Sequence, residues 1–269
     1  MMLNNLFPNV RPRRLRKNKT IRNLVSETKL HKSKLIQPLF VSDSSPEKQS
    51  ITTMPGQFIH SRDSLFFEID ELQKLGINTI ALFPNISQTK KDNDGTEALN
   101  PDNFMCKLVS EIKARFNEVV LVTDVALDPY TTTGHDGIIE NKDVDNDKTL
   151  KALEEMSVNL ASAGSDIIAP SDMMDGRVGK IRKKLEEANL TDTIILSYSA
   201  KYSSSFYGPF RDAVGSQQVE GISKDTYQMD KRNLNEALKE AKLDLNEGAD
   251  ILMVKPGLPY LDVIREISS

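Results

Sequence analysis

The sequence has one cysteine, Cys106, no tryptophan and three histidines among 269 residues. A lone thiol excludes an intrachain disulfide and any thiolate metal cluster within the chain, so a reducing, cytoplasmic setting is expected. No apolar run approaches the roughly 20 residues that a membrane helix needs. The N-terminus lacks the apolar segment of a secretory signal. No GxGxxG follows an apolar run and no Gly-rich phosphate loop is present, which argues against those two nucleotide-binding modes. A formal net charge of -4 offers no overall footprint for nucleic acid. Neither nucleic acid nor membrane is therefore expected as a partner.

What is present is an ordinary globular composition, 38% hydrophobic and 28% charged. That length holds one large α/β domain or two smaller ones. The beginning departs from the average: "RPRRLRKNKTIR" is basic, and the first acid of the chain is Glu27. A nucleic-acid or anionic-lipid patch and a transit peptide are two readings of such a run. An arm over residues 1–30, packing on a neighbouring subunit, is the expectation adopted, because so short a charge run is a weak signal for the others.

One pattern recurs. "LQKLGINTIALFP" (72–84), "LASAGSDIIAPSD" (160–172) and "LNEGADILMVKPG" (245–257) share a helical ending and a Gly. Two residues follow, the second being Asn or Asp, then an apolar run and a Pro. Gly suits the left-handed position past a helix end. A short continuous apolar run suits a strand covered on both faces. Further strands are expected in "KLIQPLFVSD" (34–43), "EVVLVTDVALD" (118–128) and "DTIILSYSA" (192–200), and helices over 62–75, 101–116, 147–163, 175–189, 230–246 and 259–267. Alternation at this spacing predicts a mostly parallel sheet, as a (β/α)8 barrel or a doubly wound sheet. The strands expected near residues 36, 80, 121, 168, 195 and 252 number six, against the eight of a closed barrel.

Active sites of parallel α/β folds lie at the C-terminal ends of strands. Asp124, Ser171, Asp172, Lys201 and Lys255 stand at such ends. Two lysines in matched positions depress each other's pKa, and burial adds to the effect. A neutral lysine amine attacks a ketone to form a Schiff base. The bland alternative is that each lysine reaches solvent or pairs with a carboxylate. After Lys201 comes a Ser/Gly-rich, aromatic stretch, 202–230, too long for a tight turn and expected to be a lid. Arg211 and Lys224 within it suit a substrate carboxylate. "TDVALDPYTTTGHDG" (123–137) carries Asp124, Asp128, His135 and Asp136. These suit a hard cation such as Mg²⁺ better than Zn²⁺, but Asp, Thr, Gly and Pro also build ordinary turns.

Taken together, these stretches resemble the porphobilinogen synthase (δ-aminolevulinic acid dehydratase) family. The resemblance is carried by "RPRRLR", "MPG" at 54–56, "TDVALDPYTTTGHDG", "VDNDKTL", "APSDMMDG", "SYSAKYSSSFYGPFRDA", "DTYQMD" and "LMVKPGLPYLD", in family order from about residue 11 onward. It implies a (β/α)8 TIM barrel over 31–269 with an N-terminal arm, and condensation of two 5-aminolevulinate molecules to porphobilinogen with loss of two waters. By resemblance Lys255 forms a Schiff base with the first substrate and Lys201 with the second. Asp124 matches an active-site acid. Arg211, Lys224 and Gln228 match positions holding the second substrate's carboxylate, and Tyr207 and Phe83 match pocket walls. Zinc-dependent members carry three cysteines where this chain has Ala126, Asp128 and Asp136, so the zinc-independent type is implied. Glu240 matches an allosteric Mg²⁺ position. Asp128 and Asp136 either bind a cation or hold the loop. A homo-oligomer, an octamer in the full-length form, is implied.

The family pattern continues beyond residue 269 with two more strand-helix units, bringing a serine and a tyrosine for the first substrate's carboxylate. A chain without them is expected to be poorly active, and an extension of roughly 55–70 residues, about two βα units and a terminal helix, to restore it. Two alternatives stand beside this reading. One is a class I aldolase-type barrel, for which one lysine suffices. The other is a catalytically dead chain serving only as a binding or assembly subunit.

Overall fold

The computed structural model describes residues 9–216 and 222–269. Residues 1–8 of the expected arm and 217–221 of the expected lid lie outside the described residues. The chain divides into two compact units, Met1–Leu35 and Ile36–Ser269. In the first, a 3-10 turn at Pro12–Arg16 precedes α1 (Lys19–Leu24), whose start is capped by the Asn18 side chain accepting from the Ile21 amide. No described residue of this unit is buried. A six-residue helix is far below the length that is stable in isolation, so α1 depends on more than its own backbone bonds.

The second unit alternates strands and helices. Its strands are β1 (Ile36–Ser42), β2 (Gln49–Ser50), β3 (Phe58–His60), β4 (Thr79–Asn85), β5 (Val120–Val125), β6 (Ile139–Glu140), β7 (Asp143–Val144), β8 (Ile167–Pro170), β9 (Ile194–Lys201) and β10 (Ile251–Lys255). Its helices are α2 (Arg62–Leu75), α3 (Phe104–Arg115), α4 (Asn146–Ser162), α5 (Arg177–Glu187), α6 (Gly208–Val214), α7 (Leu234–Glu247) and α8 (Leu261–Ile267).

The main sheet runs β10-β9-β8-β5-β4-β1-β3-β2, and every pairing in it is parallel except β2 with β3. From β1 through β4, β5, β8 and β9 to β10, each strand lies beside the one before it. A doubly wound sheet reverses direction part-way; these six strands do not, which is barrel-type winding, and only the β2–β3 excursion lies on the other side of β1. The six expected strands are all present. The β2–β3 ribbon, with β3 extending the sheet beyond β1, and the small β6–β7 ribbon are additions to the expectation. Among the described residues nothing pairs β10 with the far edge.

Strand residues divide by parity. On β4, Ile80 and Leu82 join the helix-facing core with Leu65, Ile69, Ile112, Leu153 and Ile181, whereas Ala81 and Phe83 join an inner cluster with Phe40, Val122, Leu196 and Tyr198. Both faces are covered, which is why these strands read as unbroken apolar runs. Each fully buried Leu or Ile contributes roughly 1.5–3 kcal/mol.

The repeated Gly-x-Asn/Asp pattern also has a physical cause. Gly76 and Gly248 cap α2 and α7 in the left-handed conformation, at φ 80° and 103°. After Gly164 and Gly248 the residue two positions on is an acid, and it turns to the neighbouring strand. Asp166 accepts from the Leu121 amide at 2.8 Å, and Asp250 from the Ile195 amide at 2.8 Å. Each acid therefore sets the register at the start of an adjacent strand.

Candidate active site

Four strand ends deliver the site. β5 carries Asp124, β8 leads into Ser171, β9 ends in Lys201 and β10 ends in Lys255. Lys255 and Lys201 are direct register partners across β10 and β9. Neighbouring strands lie about 4.8 Å apart, so the two lysine backbones are side by side. Together with Asp128, Asp136, Tyr207, Arg211, Lys224 and Gln228, these residues line one small cavity. The expected site residues, far apart in sequence, thus converge.

The two lysines meet different surroundings. The Lys255 ammonium lies 4.3 Å from the ring centre of Phe210, 5.0 Å from Tyr198, 5.5 Å from Tyr207 and 5.9 Å from Phe83. Burial among these rings, with the charge of Lys201 adding to it, lowers the Lys255 pKa to about 8. Tyr207 also donates its hydroxyl to the Lys255 carbonyl at 2.9 Å, fixing the strand end.

Lys201 lies among polar groups. Its ammonium donates to the Ser171 carbonyl and stands 3.4 Å from the Asp136 carboxylate. The other Asp136 oxygen takes a 2.9 Å ion pair from Lys224, and Gln228 approaches at 3.5 Å. Burial alone would raise the Asp136 pKa, but the two ammonium groups hold it well below the usual carboxylate range. Asp128, buried and facing Asp136, is pushed up. Asp124 is pushed up to about 7, first by burial and then by Asp128, against the pull of both lysines. One Asp124 oxygen is buried without a hydrogen-bond partner.

The loop between β5 and α4 brings Asp128 and Asp136 together by curling back on itself. The Leu127 amide donates to the Asp136 carbonyl at 3.1 Å, and the Thr131 hydroxyl to the His135 carbonyl at 3.0 Å. His135 pairs its Nδ1 with the Tyr227 hydroxyl at 3.0 Å. Its imidazole pKa is lowered by burial and by Lys224.

Beneath Lys201 lies a second charged layer. Arg177, only 2% exposed, donates to Ser197 Oγ at 3.2 Å and to the Tyr198 carbonyl at 3.1 Å, both on β9. It also donates to the Met174 carbonyl at 3.2 Å, and faces Asp172 at 3.7 Å and Asp244 at 3.6 Å. The turn it clasps holds Met173 at φ 69°, a conformation costly for any residue with a Cβ. Arg177 thus braces the turn bearing Ser171 and the strand bearing Lys201.

With that geometry in place, comparison with known proteins is decisive. The delta-aminolevulinic acid dehydratase family profile matches residues 9–269. The chain belongs to this family. The dehydratase of Bradyrhizobium diazoefficiens is 49% identical over 258 residues, covering 96% of this chain and 73% of that protein. The dehydratase of Methanothermus sociabilis is 51% identical, covering 96% and 80%. The crystal structure of delta-aminolevulinic acid dehydratase from Toxoplasma gondii ME49, in complex with the reaction product porphobilinogen, superposes with a TM-score of 0.93 at 48% identity. It covers 96% of this chain and 74% of that one.

One expected site residue stands away from the cluster. Glu240, on α7, lines a separate cavity with Asp143, Asp175, Asp225, Asp230 and Glu236. Burial raises its pKa, and Arg177 opposes the rise. Phe83 is a wall residue of the Lys255 cage rather than of the polar half.

Part of the stretch expected as a lid is the helix α6, which brings Phe210 over Lys255. The signal was present: Pro209 in the first turn and Gly215 just past the end, in the left-handed conformation. Tyr198, Phe210 and Arg177 are not legible in the sequence, because an apolar strand residue, a loop aromatic and a helix arginine carry no motif of their own.

Proposed function

We propose that this dehydratase makes porphobilinogen from two molecules of 5-aminolevulinate through Schiff bases on its two paired lysines. The register pairing of Lys255 with Lys201 carries the reading. A single-lysine aldolase mechanism leaves the second lysine without a use.

Lys255, with its pKa near 8, presents roughly a tenth of its amine in the neutral form at pH 7, far more than an ordinary lysine. That amine adds to the ketone of one substrate and releases water, leaving an imine. Lys201, once its ammonium has given up a proton, does the same with the second substrate. Forming the ring's carbon–carbon and carbon–nitrogen bonds returns both lysines as free amines, so two waters leave in all. Asp124, with a carboxyl near pKa 7, exchanges protons readily at the reacting centre. Arg211, Lys224 and Gln228 line the polar half and hold the carboxylate of the second substrate.

The donor set supports the zinc-independent type. Ala126, Asp128 and Asp136 offer no thiolate, and Cys106 is buried on α3. Asp136 does not fit a cation site either, since its two oxygens face the ammonium groups of Lys201 and Lys224. Among the described residues no three His, Cys, Asp or Glu groups converge to hold a metal. Glu240 fits Mg²⁺ differently: an ion that keeps most of its waters needs only one or two carboxylates, and the cavity around Glu240 is acid-lined. Bound there, Mg²⁺ would supply charge in a cavity separate from the one that Lys201 and Lys255 line. A homo-oligomer with residues 1–30 as its arm completes the proposal, as does a cytoplasmic setting. Further strands completing the sheet beside β10 are supported by its pairing on one side only among the described residues.

The test is trapping. The protein is incubated with 5-aminolevulinate, reduced with borohydride, digested and mapped by mass spectrometry. Adducts on the peptides bearing Lys255 and Lys201 support the reading; a folded protein with neither adduct overturns it.

A further inference from the structure

Lys91 has no place in the chemistry above, yet it is 9% exposed. It follows a 3-10 turn, Gln88–Lys90, just after β4. Its ammonium donates to the Gly215 carbonyl at 2.8 Å. Asn85, at the end of β4, donates its amide to the Ala213 carbonyl at 2.7 Å. These are carbonyls at the C-terminal end of α6, where a helix leaves acceptors without partners and where positive charge is favoured. The Gly215 and Ser216 amides turn back to the Arg211 carbonyl, so the tail of α6 is tied both to itself and to the β4 exit.

The backbone of the next residue secures Lys91 from the other side. The Asp92 amide donates to the Tyr130 carbonyl at 3.3 Å, and the Asp92 carbonyl accepts from the Thr132 amide at 2.9 Å. The lysine therefore joins the Asp128 loop to α6. Burial lowers its pKa, opposed by the charges of Asp128 and Asp43. Among the described residues no carboxylate stands within ion-pair distance of it. A buried ammonium aimed at a neutral carbonyl is a poor source of stability, because desolvation outweighs so weak a partner. Its value is therefore one of position. α6 carries Phe210, whose ring lies 4.3 Å from the Lys255 ammonium and 5.0 Å from Phe83, and Arg211, which lines the site.

We propose that Lys91 is a positioning residue for substrate binding: by capping the carbonyl end of α6 it sets where Arg211 stands to receive a substrate carboxylate. The inference rests on the lysine and carboxylate roles proposed above.

The experiment compares Lys91→Met with the unsubstituted chain. The readout is the concentration at which borohydride trapping on Lys201 reaches half its maximum. Two ketones are used, 5-aminolevulinate and 1-aminobutan-2-one, which lacks the carboxylate. With 5-aminolevulinate the half-saturating concentration is expected to rise about tenfold, the scale of one charge-assisted hydrogen bond, and with 1-aminobutan-2-one to stay within about twofold. Thermal stability is expected to hold or rise. An unmoved value for 5-aminolevulinate, or an equal rise for both ketones, overturns the inference. If Lys91→Met does not fold, Lys91→Leu is read by the same criteria, since it too removes both the charge and the donor. No Lys201 adduct in the unsubstituted chain overturns the parent reading, and this inference with it.

Discussion

Lys255 and Lys201 occupy equivalent places on adjacent strands, but one is enclosed by four rings and the other by a carboxylate and a carbonyl. Identical side chains in register are thereby given different electrostatics. The aromatic side withholds the partners that an ammonium needs and so favours the neutral amine. The polar side gives Lys201 a carboxylate and a carbonyl to face. The difference comes from neighbours on other strands and helices.

Breaking the aromatic side has the largest expected effect. Lys255→Met should abolish its adduct and reduce any turnover by roughly 10³-fold or more, in line with loss of a covalent nucleophile. The same substitution should raise thermal stability at pH 7. Folding lowers this pKa from 10.5 to about 8, so below pH 8 the buried charge opposes folding. That opposition is full below about pH 8 and fades as pH rises toward 10.5. Melting curves at pH 7 and pH 10 check the sign: the gain should shrink at the higher pH.

Breaking the polar side is next. Asp136→Asn leaves Lys201 and Lys224 facing each other without their shared counter-charge, and should cost about 3–5 kcal/mol in denaturant unfolding. Trapping on Lys201 should fall further than trapping on Lys255. Beneath it, Arg177→Met uncovers Asp172 and Asp244 and should cost a similar amount, again with the greater loss at Lys201.

Smaller effects sharpen the contrast. Initial trapping on Lys255 should rise with pH through about 8 as the amine loses its proton. Phe210→Ala admits water to the cage and should move that midpoint upward, toward the ordinary lysine value. The smallest effect is expected at Glu240→Gln, which should leave trapping on both lysines unchanged while removing any increase in thermal stability on adding Mg²⁺.

The six parallel strands were legible as apolar runs; β4, β8 and β10 were marked further by a Gly before the run and a Pro at its exit. The strand-end lysines were legible because a charge directly after such a run is conspicuous. The β2–β3 ribbon was not, since strands of two and three residues have too few positions to show a period. Asp136 is a different case. The sequence left it between a cation site and a loop fastening, and its two ion pairs give it a third use, because Lys201 and Lys224 reach it from 65 and 88 residues away.

By itself, then, the sequence determined the winding material: alternating units, a lysine at each of two strand ends, and a single cysteine that leaves no thiolate cluster within the chain. Local pattern suffices for these, since burial and turn geometry act over a few residues. Only the tertiary structure decided that the sheet winds one way, that the lysines are register partners, and that one of them lies among Phe83, Tyr198, Tyr207 and Phe210. Strand pairing and desolvation depend on residues distant in the chain, and an amine's pKa is set by whatever the fold brings against it.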